Sequence, residues 1–192
     1  GSRRREAAGG RRGRCSGGCR PGIGRVVAIE KDRRLAAHLR ERFRETANLE
    51  LIEADALDVD LNKHLAGGCS KVVANLPYSV ASRLLVDLAE APKRPRQMVV
   101  TVQNEVADRL TAKADTDDYG LLSVILQLRY DISVRKEVSP SCFYPPPEVK
   151  SAIVNMILRE PAVQPVNYNQ FKELLKLCFS KRRKQLGGIL RK

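Results

Sequence analysis

The chain has 192 residues and a formal net charge of +13, with ordinary apolar content and few aromatic residues. That length suits one domain or one and a half, and no apolar run reaches the roughly 18 residues of a membrane span. The charge is unevenly placed: residues 1–25 hold eight Arg and one Glu, residues 181–192 hold six Lys or Arg and no acid, and the rest is formally neutral. A neutral body with basic ends suits a polyanionic partner, although solvated basic tails are equally common among proteins at large.

The first stretch, GSRRREAAGGRRGRCSGGCRPG, is mostly Gly and Arg and contains no Leu, Ile, Val or aromatic residue. It has too little apolar surface to offset the entropy of ordering. Gly1-Ser2 reads as a processing scar, and no apolar segment follows the N-terminal arginines, so a secretory signal is not expected. Five cysteines, an odd number without such a signal, suggest reduced thiols in a cytosolic-type compartment.

From Arg25 the pattern becomes regular. RVVAIE (25–30) reads as a buried strand ending in an acid. DRRLAAHLRERFRE (32–45) carries Leu35, Leu39 and Phe43 at four-residue spacing, which predicts an amphipathic helix capped by Asp32. LELIEAD (49–55) predicts a second strand, again ending in acids. A short connection leads to KVVAN (71–75), a third strand, which stops because Pro77 has no N–H for a sheet ladder. SRLLVDLAE (82–90) predicts a helix stopped by Pro92. RQMVVTVQ (96–103) predicts a strand, NEVADRLTA (104–112) a helix, and YGLLSVILQLRY (119–130) a buried helix. DISVRKEV (131–138) and KSAIVNMIL (150–158) alternate like strands. Strand–helix alternation implies a largely parallel sheet covered on both faces, and the last two strands, lacking a helix between them, suit an antiparallel edge.

The predicted strands end in Glu30, Asp55 and Asn75, and in open α/β sheets ligands sit at the C-terminal ends of the strands. A carboxylate there suits a ribose diol, and Asp55 could accept from an exocyclic adenine amine. Each acid alone is more often a solvated strand end; in register on consecutive strands they favour a nucleotide-like ligand.

NLPYSVAS (75–82), VQNEVADRL, YGLLSV and CFYPPPEVKSAIV together resemble the KsgA/Dim-type small-subunit ribosomal RNA adenine dimethyltransferases. The resemblance covers about residues 25–185. An Asn-x-Pro-Tyr sequence alone occurs across many amino-group methyltransferases; with the proline triplet Pro145–Pro147 it narrows to this family and its antibiotic-resistance relatives. Leu76 and the full triplet are closer to the housekeeping branch. The resemblance implies a Rossmann-like class I methyltransferase domain, α/β with a mostly parallel sheet, over residues 25–159. The start of a small helical RNA-binding domain would follow over 160–192, and residues 1–24 would lie outside the fold.

The resemblance also implies S-adenosylmethionine as cofactor and two-fold methylation of adenine N6 at adjacent adenines near the 3′ end of small-subunit ribosomal RNA. An exocyclic amine is a poor nucleophile because its lone pair is conjugated with the ring. By resemblance, the Asn75 side-chain oxygen and the Leu76 carbonyl accept the amine hydrogens, Pro77 fixes the turn, and Tyr78 stacks on the extruded base. Phe143 is implied as the second stacking face; read without the family, Tyr78 and Phe143 are ordinary core aromatics. Glu30 is implied to hold the ribose hydroxyls, Asp55 the adenine amine, with the Ala56 N–H near the ring and Asn75 between cofactor and substrate. FSKRRKQL (179–186) is similar to the family's basic helix, whose Lys181, Arg182, Arg183 and Lys184 would meet RNA phosphates. The partner implied is ribosomal RNA in the small subunit, met in the cytoplasm by a monomer, with no membrane and no metal.

Two departures stand against this. The family's Gly-rich cofactor loop belongs about 20 residues before the ribose acid, whereas Gly22 and Gly24 lie only a few residues before Glu30. The strand at 26–30 is therefore expected to pair with 71–75 directly or to leave an open edge, and cofactor affinity is expected to be low. A shifted reading frame or added sequence is one account of residues 1–24. The family's helical domain also continues beyond the point reached at Lys192. Cys15 and Cys19 lack a second ligand pair for zinc, Cys69, Cys142 and Cys178 are scattered, and His38 and His64 have no hydrolase pattern around them. Two classes remain open: an RNA adenine dimethyltransferase, and a non-catalytic RNA- or ribosome-binding relative. A resistance-type large-subunit methyltransferase is the alternative within the enzyme class.

Overall fold

A computed structural model describes residues 24–66, 71–77, 79–160, 164–181 and 184–190. The chain divides into two compact units, Gly1–Val59 and Asp60–Lys192. The Gly/Arg-rich stretch expected to lie outside the fold falls, up to residue 23, outside the described residues.

In the first unit, β1 (Val26–Glu30) leads to α1 (Arg33–Arg42) and β2 (Leu49–Glu53). Asp32 caps the helix as its sequence position predicts, its carboxylate accepting from the Leu35 N–H at 2.8 Å. The helix stops at Arg42, short of the expected residue 45. The Phe43 N–H closes the last turn on Leu39, and the Thr46 N–H then turns back to the Phe43 carbonyl. Ala36 is the residue it buries, while Leu35 and Phe43 stay partly exposed. The strands pair in parallel from Val26–Leu49 to Glu30–Glu53, forming one βαβ unit.

The second unit holds α2 (Leu61–Ala66), β3 (Lys71–Asn75), α3 (Ala81–Glu90), β4 (Gln97–Gln103), α4 (Asn104–Thr111), α5 (Leu121–Gln127), β5 (Tyr130–Val138), β6 (Ser151–Leu158), α6 (Tyr168–Ser180) and α7 (Leu186–Leu190). Here α2 replaces what reads in sequence as a bare connection; Asp60 starts it by accepting from the Asn62 N–H. The sheet order is β3-β4-β6-β5, with β3–β4 parallel and both β4–β6 and β6–β5 antiparallel. The last two strands are thus antiparallel as expected, and β6 lies between β4 and β5. Across both sheets the described pairs are half parallel and half antiparallel, because β6 inverts direction on each side.

One face of this sheet carries the core. Met98, Val100 and Val102 alternate on β4 and pair with Met156, Val154 and Ala152 of β6. All six are essentially inaccessible, as are Leu85, Leu110, Ile125 and Leu126 of the helices. Large apolar side chains of this kind contribute roughly 1.5–3 kcal/mol each when fully buried. Tyr130 is buried with them; its hydroxyl donates to the Pro95 carbonyl at 3.0 Å, and burial pushes its pKa up to about 12. On the opposite face, Val73 in the middle of β3 is 82% exposed. The expected cover on both faces is therefore incomplete at β3.

Among the described residues β1 pairs with β2 in the first unit, and β3 pairs with β4 in the second. No helix among the described residues is long and apolar enough to cross a membrane.

Candidate active site

In the second unit, the C-terminal end of β3 brings Asn75 level with Thr101 of β4. The Leu76 N–H extends the ladder, donating to the Thr101 carbonyl at 3.0 Å, and the Leu76 side chain is buried. The backbone then turns at Pro77, whose carbonyl accepts from both Val80 and Ala81 at 3.1 Å and so starts α3. This local chain of bonds holds the turn. It leaves Asn75 exposed, with no partner for its amide among the described residues, and no described donor reaches the Leu76 carbonyl. Tyr78 lies outside the described residues.

The proline-rich loop lies at the same end of this sheet. Val138 at the end of β5 and Gln103 at the end of β4 both pair with Ser151, the first residue of β6. The connection 139–150 therefore leaves the sheet at the end of β5 and returns at the start of β6, which lies beside the C-terminal end of β4. Ser139 opens it by accepting from the Ser141 N–H, and a 3₁₀ turn over Pro140–Cys142 delivers Phe143 half-buried. At its far end the Lys150 carbonyl accepts from the Asn104 N–H at 3.1 Å. The topology thus places the Asn75 turn, on β3, and the loop that carries Phe143, between β5 and β6, at the same end of one sheet. It also exposes an aromatic that the pattern did not single out: Tyr144, next to Phe143, is 99% exposed.

In the first unit, Glu30 ends β1 half-buried, and one of its oxygens accepts from the Asp32 N–H at 2.8 Å. The other oxygen accepts from no described residue. The second strand ends at Glu53, so Asp55 is two residues beyond the ladder and not at its end. Glu53 turns instead toward α1, where Arg40 at 2.7 Å and Arg33 at 3.3 Å hold it and keep its carboxyl below the usual range, the Arg40 hydrogen bond foremost. Asp55 accepts from the Leu57 N–H at 3.0 Å and pairs with Lys31 at 2.7 Å. The hydrogen bond from Lys31 also holds the Asp55 carboxyl low, and that same bond to Asp55 raises Lys31. Sequence reading missed Lys31, because nothing in a residue following a strand-ending acid signals a partner 24 positions away. Ala56 is half-buried in the turn after Asp55.

Glu30 and Asp55 offer anionic acceptors suited to hydroxyl and amine donors, so the nucleoside half of S-adenosylmethionine fits the donor set of this unit. No described residue forms a glycine-rich turn for the amino-acid half.

The expected basic helix at 179–186 is not continuous. Helix α6 ends at Ser180, Lys181 leaves helical geometry as its cap, and α7 begins at Leu186. Lys181 and Lys184 are exposed in the break, joined by a backbone bond of 2.8 Å. Arg182 and Arg183 lie outside the described residues. Cys142 and Cys178 are free thiols.

An α/β methyltransferase architecture is what such a sheet edge belongs to, and solved structures bear on it directly. A dimethyladenosine transferase from Plasmodium falciparum superposes with a TM-score of 0.77 at 29% identity, covering 88% of this chain and 60% of that one. The 23S rRNA methyltransferase ErmE superposes with a TM-score of 0.65 at 26% identity, covering 86% and 66%. The family model for ribosomal RNA adenine dimethylase matches residues 23–192, and the chain belongs to this family. It is 39% identical over 171 residues to ribosomal RNA small subunit methyltransferase A of Geobacter metallireducens, and 41% identical over 165 residues to that of Bordetella avium. The chain spans 62% of the length of each of these relatives.

Proposed function

We propose that the chain is the catalytic part of a ribosomal RNA adenine N6-dimethyltransferase that acts on adjacent adenines near the 3′ end of small-subunit RNA. The observation that carries this reading is the pair of acceptors at the end of β3, the Asn75 amide oxygen and the Leu76 carbonyl, with no described donor on either. Two acceptors side by side take the two hydrogens of an exocyclic amine. They orient its nitrogen lone pair outward and stabilise the positive charge that develops there, which is catalysis by positioning and electrostatics. Neither group takes a proton, so the proton lost from the methylated nitrogen passes to water. Pro77 holds the turn, and Tyr78 and Phe143 grip the extruded base on its two faces.

S-adenosylmethionine, when bound, supplies the methyl group from its sulfonium. Glu30 would hold its ribose hydroxyls and Asp55 its adenine amine, with the Ala56 N–H beside the ring and Asn75 on the reacting side. Lys181, Arg182, Arg183 and Lys184 would meet RNA phosphates, positioning the substrate without reading its sequence. The small ribosomal subunit is the partner we propose, met by a single copy of the protein in the cytoplasm. Residues 160–192 would begin the helical part that binds RNA.

Transfer of a labelled methyl group to immature small subunits tests the reading. Asn75→Ala should lower transfer by about two to three powers of ten, the usual loss for one electrostatic interaction at a reacting centre, while RNA binding stays the same. Near-normal turnover of that variant refutes the role of Asn75. Label on large-subunit RNA alone would instead favour the resistance-type activity, and RNA binding without any label the non-catalytic relative.

A further inference from the structure

The proline-rich loop carries more than Phe143. Tyr144 is 99% exposed, and its ring meets no described residue. Single exposed aromatics are ordinary on protein surfaces, so exposure by itself assigns nothing. Its setting is what matters. The loop is pinned at both ends, by the Ser139 cap and 3₁₀ turn on one side and the Asn104–Lys150 backbone bond on the other. Three prolines follow Tyr144 directly, so the backbone around it has few conformations to lose on binding. On β5, which leads into the loop, Arg135 and Lys136 are exposed and have no acidic partner among the described residues. The acids nearby are Glu137, which pairs with Lys150 at 3.7 Å, and Glu148. In register, Lys136 pairs with Ile153, Ile153 with Thr101 and Thr101 with Asn75, so Lys136 on β5 is level with Asn75 on β3, at the same end of the sheet.

We propose that Tyr144 is a stacking platform for an unpaired RNA base flanking the target adenine, with Arg135 and Lys136 meeting the adjoining phosphates. An aromatic ring in solvent, on a loop that follows a strand with exposed cations, is a combination that single-stranded RNA recognises. Bases stack on the ring whatever their identity, and the cations track the backbone. The proposal rests on the reading of this sheet edge as an RNA-modifying site. Tyr144 would act on substrate placement and not on the chemistry, holding the strand open next to a base that must leave its stack.

The chain contains no tryptophan, so Tyr144→Trp gives a single fluorescent reporter in the full chain. Titration with a short single-stranded RNA bearing adjacent adenines should quench it, and a fully paired duplex of the same sequence should quench it far less. Tyr144→Ala should weaken binding of that RNA about tenfold or more, the usual consequence of losing one stacked base. Tyr144→Phe should restore it, and the salt dependence should stay the same, because no charge is removed. Binding by Tyr144→Ala within about twofold of the unaltered chain, or an unquenched reporter at saturation, would overturn this inference and leave the function proposed above standing. Failure of the unaltered chain to bind single-stranded RNA would sink both. Adding Asn75→Ala to the Tyr144→Trp reporter should lower methyl transfer by roughly the same two to three powers of ten and keep the quench, which separates the chemistry from the stacking.

Discussion

Asn75 and Asp55 show how differently two polar residues at strand ends can be held. Asn75 is exposed and without a described partner, which suits the acceptor role proposed for it. Asp55 is already engaged by Lys31 and the Leu57 N–H, yet a carboxylate has about four acceptor positions and can take a further donor. The pairing has a definite pH signature. Asp55 titrates below its usual range in the folded protein, so the stability it contributes is present above the unfolded value of about 3.9 and fades as pH falls through the depressed one. Lys31 is raised, so its contribution is present below about 10.4 and fades as pH rises through the folded value. Between those limits the pair stays charged. Lys31→Met should move the Asp55 carboxyl midpoint, followed by NMR, back up toward about 3.9. An unchanged midpoint would show that the Leu57 N–H alone holds it low.

At the scale of elements, β3 and α6 make opposite demands. The middle of β3 presents Val73 to solvent while β4 beside it buries Met98 completely. Val73→Thr should therefore shift stability by no more than about 0.5 kcal/mol. Met98→Ala should cost about 2–5 kcal/mol through reduced burial and the cavity left behind. Urea unfolding midpoints of the two variants decide this, and equal losses would mean that the face carrying Val73 is covered. Helix α6 buries no residue fully; polar interactions fix it instead. Glu90 at the end of α3 accepts from the Tyr168 hydroxyl at 3.1 Å and pairs with Lys172 at 2.7 Å. The Arg129 guanidinium lies 5.8 Å from the Tyr168 ring centre, and Tyr119 meets Phe179 edge-on at 6.1 Å. Burial, with the Glu90 charge behind it, pushes the Tyr168 pKa up to about 12. Glu90→Ala removes two partners at once and should lower stability toward the lower end of about 1.5–3 kcal/mol, because both charged groups keep some solvent. The Tyr168 midpoint should fall in the same variant, which absorbance titration reads.

For the whole molecule, charge placement would govern the proposed encounter with RNA. Residues 26–180 are neutral while both ends are basic, so affinity should fall steeply with salt. Lys181 and Lys184 are exposed in the break between α6 and α7. Replacing both with Ala should flatten the log–log salt slope by roughly 0.7 for each phosphate that is no longer neutralised on single-stranded RNA. A slope that does not change would make them plain surface lysines. This readout is distinct from that of Tyr144, whose removal should weaken binding at every salt concentration alike.

Local sequence determined most of the elements, because their signals are local. Alternation of apolar residues, the Asp32 cap and the stop at Pro77 depend on neighbours a few positions away, and β1, β3 and α3 fall within a residue of their predicted bounds. The Asn75–Pro77 turn was legible for the same reason, its residue types being fixed by the chemistry of the turn. The second-strand end was not: LELIEAD reads as one run to Asp55, but Arg33 and Arg40 reach across from α1 and engage Glu53, where the ladder stops. Only the tertiary structure decided that β6 lies between β4 and β5, since antiparallel insertion is settled by pairing among distant residues. Only it could expose Tyr144 while half-burying Phe143, because adjacent aromatics in one loop look alike until a sheet edge lies beneath them. It also decided that β3 finds its partner in β4. Each strand's own alternation specifies which face is apolar, but not which edge finds a neighbour.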